Sequence, residues 1–248
     1  MANWSDPRPT AAPFGVAAGT RSDAYDAGLR SYMLSVYNYM ISAVLLTGIV
    51  SLSVAYTGMW RMLVSPTGGM SGLGMLFAFS PLAIVFAMSF GANRMSSTTL
   101  QALFWAYAAL LGVSLSTIFI AYTASSVAGA FFATAAGFAG LSLYGYTTQR
   151  SLGAMGTFLI VGLVGLIVAS LLNLWLQSGP LGLVISIVGV LIFAGLTAYD
   201  TQRIKSMYSH VAGTPAEGHT KIMSALSLYL DFINMFLFVL RLFGSSRN

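Results

Sequence analysis

Charge is what this chain has least of: eleven basic and six acidic residues make up 7% of its 248, against roughly a quarter in an ordinary soluble domain. Six of the charged residues (Asp6, Arg8, Arg21, Asp23, Asp26, Arg30) fall within the first 30, leaving eleven for the remaining 218. A body so poor in charge and 57% hydrophobic overall excludes a water-soluble globule and reads as an integral membrane protein. Cysteine is absent, which removes a disulfide framework, a thiolate metal site and a cysteine nucleophile together. No phosphate-cradling glycine loop, Ser-His-Asp set or dinucleotide motif stands in a suitable context, so neither an enzyme nor a bound cofactor is expected. The net charge of +5 does not point to nucleic acid, because the basic residues sit scattered at the ends of apolar runs and form no patch.

Residues 1–28, with Pro7, Pro9 and Pro13 among mixed charges and small side chains, read as a flexible tail ahead of a transmembrane domain over 29–248. The first long apolar run begins only after Arg30, so no cleavable signal segment is expected. Charge-free intervals give the helix count, since about 20 apolar residues cross the hydrocarbon layer. Ser31–Trp60 and Leu73–Asn93 supply two spans. The 55 residues between Arg94 and Arg150 divide at the polar Tyr122–Ser126, and the 49 from Ser151 to Tyr199 divide at Gln177-Ser178-Gly179-Pro180. After a polar loop of about 20 residues, Met223–Phe243 makes the seventh span of an all-α protein. Eight Lys and Arg on one side against three on the other place the N-terminus in the cytoplasm.

Gly129, Ala133 and Gly137 recur every fourth residue and are expected to let a neighbouring helix approach the fourth span closely. The methionines and phenylalanines read as core or lipid-facing filler. His210 and His219 fall in the expected loop, with no ligand cluster around them, and read as solvated.

Ionisable groups at membrane depth cost roughly 2.5–3.5 kcal/mol each on insertion scales and so carry the functional signal. Asp200 closes the sixth span, flanked three residues either side by Thr197 and Arg203. Asp231 lies in the last span on a stripe with Ser224, Ser227 and Asn234 that continues to Arg241. A helix with such a face belongs at the centre of a bundle, where the stripe meets protein or water. Both aspartates fall towards the cytoplasmic half. Two carboxylates brought together in a low-dielectric site would share a proton and sense pH as a unit. The alternative is that each makes a separate structural hydrogen bond, with Arg94 or Asn173 as partner.

The segments Thr197-Ala198-Tyr199-Asp200-Thr201-Gln202, Ala225 through Asn234 with Arg241-Leu242-Phe243-Gly244, and Leu141 through Thr148 resemble the transmembrane Bax-inhibitor-motif family in its bacterial YccA-like branch. The resemblance runs from about residue 30 to the end. It implies a seven-helix fold with six helices around a central seventh, and a cation leak, chiefly of Ca²⁺, governed by a pH-sensitive aspartate pair. Asp200 and Asp231 match that pair and would be the oxygen ligands met by passing Ca²⁺. Arg94 matches a gating arginine at the cytoplasmic end of span two, and Asn173 a polar position in span five. Thr197, Ser227 and Asn234 are the candidate polar supports.

The leading expectation is therefore a proton-regulated cation channel of the inner membrane, whose partners are the lipid bilayer, Ca²⁺ and protons. A non-conducting regulator of a membrane-bound protease, contacting its partner through the N-terminal tail, is the second reading. An intramembrane aspartyl protease is the third. Tyr199-Asp200 fits half of that enzyme's pattern, but bulky Leu228-Tyr229-Leu230 stands before Asp231 where those enzymes have glycines that admit substrate.

Overall fold

The computed structural model describes residues 14–65 and 69–245, with the side chains of 14–22 and 93 outside that description. Its long helices are α1 (Phe14–Tyr56), α2 (Gly72–Gly91), α3 (Ser97–Leu115), α5 (Ala124–Thr147), α6 (Gly153–Leu176), α7 (Gly179–Val211) and α8 (Ala216–Phe243), with a four-residue α4 (Ile118–Ala121) continuing α3. Seven of these stretches are long and apolar enough to cross a membrane. Helix starts follow local chemistry: the hydroxyls of Ser71, Ser96, Thr123 and Ser178 accept hydrogen bonds from the backbone N–H of Gly74, Thr99, Ser126 and Leu181. Pro180 follows in the first turn of α7, where its missing N–H costs nothing.

Pro81 lies inside α2 and cannot donate to the carbonyl of Phe77 four residues back. The hydroxyl of Ser114 on α3 donates to that carbonyl at 2.5 Å, and Ser80 adds a weaker bond at 3.3 Å. The proline thus creates an acceptor that the neighbouring helix uses, as an apolar medium requires.

The last span is the most buried of the seven, as the polar stripe anticipates. Its principal neighbours are α7, α1, α5 and α3, whereas α2 stacks mainly on α3 and α6 mainly on α7. Four helices therefore make most of the direct packing around α8, which leaves the expected ring of six unconfirmed. Thr47 on α1 donates to the Ala108 carbonyl at 2.8 Å, so the Tyr229 hydroxyl on α8 donates to Thr47 at 2.6 Å, tying α1, α3 and α8 together.

Three expectations change. Of the tail foreseen over 1–28, residues 1–13 lie outside the described residues, but α1 already runs from Phe14, because no further proline follows Pro13 before Pro66. The foreseen loop of about 20 residues before the last span is a turn at 212–215: polar side chains from Gln202 onward end the apolar stretch without ending the helix, which stops only near Gly213, in the left-handed region at φ 69°. His210 and His219 accordingly sit on helices. Finally, Gly129, Ala133 and Gly137 face outward, and a Cβ at either glycine would meet nothing within 4 Å. The packed face of α5 is the opposite one, through Ala130, Thr134, Phe138, Ser142 and Gly145.

The α5–α6 turn is clamped by Gln202 of α7, whose amide donates to the Arg150 carbonyl and accepts from the Leu152 N–H, both at 2.8 Å. Gln202→Ala is expected to raise the rate of trypsin cleavage at exposed Arg150 by about fivefold or more, each lost bond being worth about 1 kcal/mol of local opening. Timed digestion in detergent reads this directly; an unchanged rate would mean the turn is held elsewhere.

Candidate functional site

The turn of α7 bearing Asp200 and the middle of α8 bearing Asp231 pack against one another, and α6 closes the third side. Between them lies a cavity of about 660 Å³ lined by both aspartates. Asp200 is 8% exposed and Asp231 5%, so each carboxyl has left water almost entirely. Both side chains line the same cavity.

Their hydrogen bonding differs. Asp200 accepts a short hydrogen bond from the Ser227 hydroxyl across the α7–α8 interface. Oδ2 of Asp231 is buried and has no hydrogen-bond partner among the described residues. A buried polar atom without a partner is uncommon and costs of the order of 1–3 kcal/mol, so a fold that keeps one has a use for it or loses stability to no end.

The expected polar stripe on α8 divides. Ser227, Asp231, Asn234 and Arg241 line the cavity, whereas Ser224 turns towards Tyr32 of α1, hydroxyl to hydroxyl at 3.5 Å. Along α8 the cavity runs from Ser227 to Arg241, about 21 Å at 1.5 Å per residue, which is most of a hydrocarbon core of about 30 Å. Arg203 stands at one end and Arg241 at the other, both exposed. Asn234 donates to the Leu230 carbonyl of its own helix at 2.8 Å.

The other candidates spread out. Asn173 lines the far end of the cavity from α6, and its carbonyl oxygen accepts the Ser178 N–H at 3.1 Å, securing the α6–α7 turn. Thr197 is fully buried and donates to the Phe193 carbonyl one turn back, which makes it a packed part of α7 with no place on the cavity wall. Arg94 is exposed at the end of the short turn after α2 and lines no part of the cavity. The arginine that lines the cavity with Asp200 is Arg203, one turn further along α7.

Sequence reading did not find Ser170, which lines the cavity from α6, nor the seating of Tyr199 against Gly156. The second had a signal: a Cβ at Gly156 would come within 2.4 Å of the Tyr199 ring, so a glycine is needed there for α6 to approach α7. No group of three or more His, Asp or Glu side chains forms among the described residues. The two carboxylates alone fall short of the six to eight oxygens a resident Ca²⁺ takes.

A seven-helix membrane bundle with two buried carboxylates facing one intramembrane cavity is the class that this fold and site define. Residues 29–248 match the family model described as inhibitor of apoptosis-promoting Bax1, and the chain belongs to this Bax inhibitor family. Its relatives include the inner membrane protein YbhL of Escherichia coli K12, 42% identical over 223 residues that cover 89% of this chain and 94% of YbhL. An uncharacterized protein of Rickettsia prowazekii is 44% identical over 231 residues, covering 92% and 95% of the two chains. One of Caulobacter vibrioides is 41% identical over 228 residues, covering 90% and 91%.

Proposed function

We propose that this protein is a proton-regulated cation conductance of the inner membrane, with Ca²⁺ as the principal ion and the N-terminus in the cytoplasm. The observation that carries the reading is that Asp231, one of whose carboxyl oxygens is buried without a partner among the described residues, lines the same cavity as Asp200. With a proton held between the two carboxyls, the site carries at most one negative charge, and the Ser227 bond keeps α7 against α8. Loss of that proton leaves two negative charges in a medium that screens them poorly, so they repel. The interface between α7 and α8 loosens, and the same oxygens become hard ligands suited to a passing Ca²⁺.

The arginines fit this scheme as charge at the two ends of the path. Arg203 lines the cavity one turn from Asp200, at the nearer end. Arg94 reaches the pair only through a rearrangement that brings the end of α2 inward, and its part in gating would belong to that second state. No enzymatic step is assigned, because Leu230 occupies the cavity wall beside Asp231, where a peptide substrate would have to come close.

The test is Ca²⁺ flux into proteoliposomes as pH is varied. Wild-type flux is expected to rise with pH, and Asp200→Asn and Asp231→Asn are each expected to flatten that rise. Profiles in both variants that follow the wild type would remove the sensor role, and an absence of flux in every lipid tried would favour a non-conducting regulator of a membrane partner.

A further inference from the structure

Away from the aspartates, α1 and α5 splay apart to leave a groove of about 550 Å³ whose floor is Phe232 of α8. On α1 it runs from Arg30 to Ile41, and on the antiparallel α5 from Tyr146 to Ala135. Eleven residues at 1.5 Å each make about 16 Å, the depth of one leaflet of a hydrocarbon core about 30 Å thick.

The two ends differ in chemistry. The mouth carries the exposed guanidinium of Arg30, which has no partner among the described residues. Behind it Lys205 of α7 donates to the Tyr146 carbonyl at 2.8 Å and lies 4.8 Å over the Tyr146 ring, adding a second positive charge at that level. Below the mouth the walls are Met33, Leu34, Met40, Phe138 and Leu143.

From these observations we infer that the α1–α5 groove is a binding site for one anionic phospholipid of the leaflet at the Arg30 end. The phosphate sits at Arg30 under the field of Lys205, and an acyl chain fills the groove down to Phe232. An apolar tail alone would leave Arg30 unanswered, and a soluble anion would leave the apolar walls unfilled. The occupant also meets the bundle at a telling place, since Phe232 adjoins Asp231 and Tyr37 of the groove wall bonds to Thr201, next to Asp200, at 3.2 Å.

Native mass spectrometry of the purified full chain, given dioleoyl phosphatidylglycerol or dioleoyl phosphatidylcholine at equal concentration, tests the site without reference to ion flux. One phosphatidylglycerol is expected to be retained about fivefold more than phosphatidylcholine, the preference one arginine near a membrane surface confers on an anionic head. Arg30→Gln, an exposed change, should bring the two lipids level. Ala139→Trp, which fills the groove from its exposed side, should lower retention of both. Should that variant fail to fold, Leu34→Trp on the facing wall replaces it. Equal retention of the two lipids by the wild type, a preference that survives Arg30→Gln, or full retention by a folded groove-filled variant would each overturn the proposal.

Discussion

Leucine in place of Asp231 is expected to make the protein more stable, by about 1–3 kcal/mol, because it removes a buried carboxyl oxygen that has no hydrogen-bond partner. Leucine has the same branched shape with slightly bulkier ends, and position 231 lines the cavity. The matching change at the other carboxyl should act in the opposite direction. Asp200→Leu deprives the Ser227 hydroxyl of its acceptor at a close helix interface and is expected to cost about as much as the first change gains. Thermal unfolding of the two variants in the same detergent reads the contrast. Loss of stability in both would mean that Asp231 is held by structural hydrogen bonds, and would leave its functional role without its physical basis. A gain at 231 shows that the native chain tolerates a less stable interior in order to keep an acid there, which is the usual signature of a working site.

Alanine at Gly145 is expected to be among the most damaging single changes in the chain. There α5 crosses α7 so closely that a Cβ would lie within 2.2 Å of the Ala198 carbonyl oxygen. Neither atom is the end of a flexible side chain, so the helices themselves must part, at a cost of about 1–3 kcal/mol or more. The separation would fall two residues from Asp200, and the fit of α7 against α8 would suffer with it. Gly140→Ala on the same helix is the control: nothing lies within 4 Å of a Cβ there, and removing a glycine from a helix interior is worth about 0.5–1 kcal/mol of added stability. Melting temperatures should therefore move in opposite directions. Equal shifts would show that α5 and α7 do not meet at this glycine.

The number and order of the spans could be read from the sequence because each charged or Gly/Pro-bearing break is a place where the chain must leave hydrocarbon or restart a helix. Asp231 could be read from its cost, and its neighbours Ser227 and Asn234 from helical spacing. Spacing places residues on one face but does not say which way that face looks. Thus Gly129, Ala133 and Gly137 share a face as expected, yet it is the one turned away from the bundle, because the larger Phe138 and the close-crossing Gly145 define the packed side. Likewise the polar residues after Thr201 announced an exit from the apolar layer, and only Gly213 told where the helix ended. The arginines beside the cavity, Arg203 and Arg241, stood in the sequence on the same faces as the two aspartates, whereas Arg94, whose gating role came from resemblance, lines no part of it. Contacts such as Ser114 with Phe77, or Gln202 with the α5–α6 turn, join segments whose pairing no local pattern encodes.

At 33 residues α7 measures about 50 Å, some 20 Å more than the hydrocarbon it crosses. The surplus is strapped to α1 by Tyr208, whose ring rests against Tyr25 and Tyr32 at 5.3 and 5.2 Å. Asp200 is only eight residues from that strap on one unbroken rod. A push sideways on the protruding shaft would therefore be delivered to the acid as leverage, giving a mechanical hold, from outside the hydrocarbon, on a group that solvent scarcely reaches.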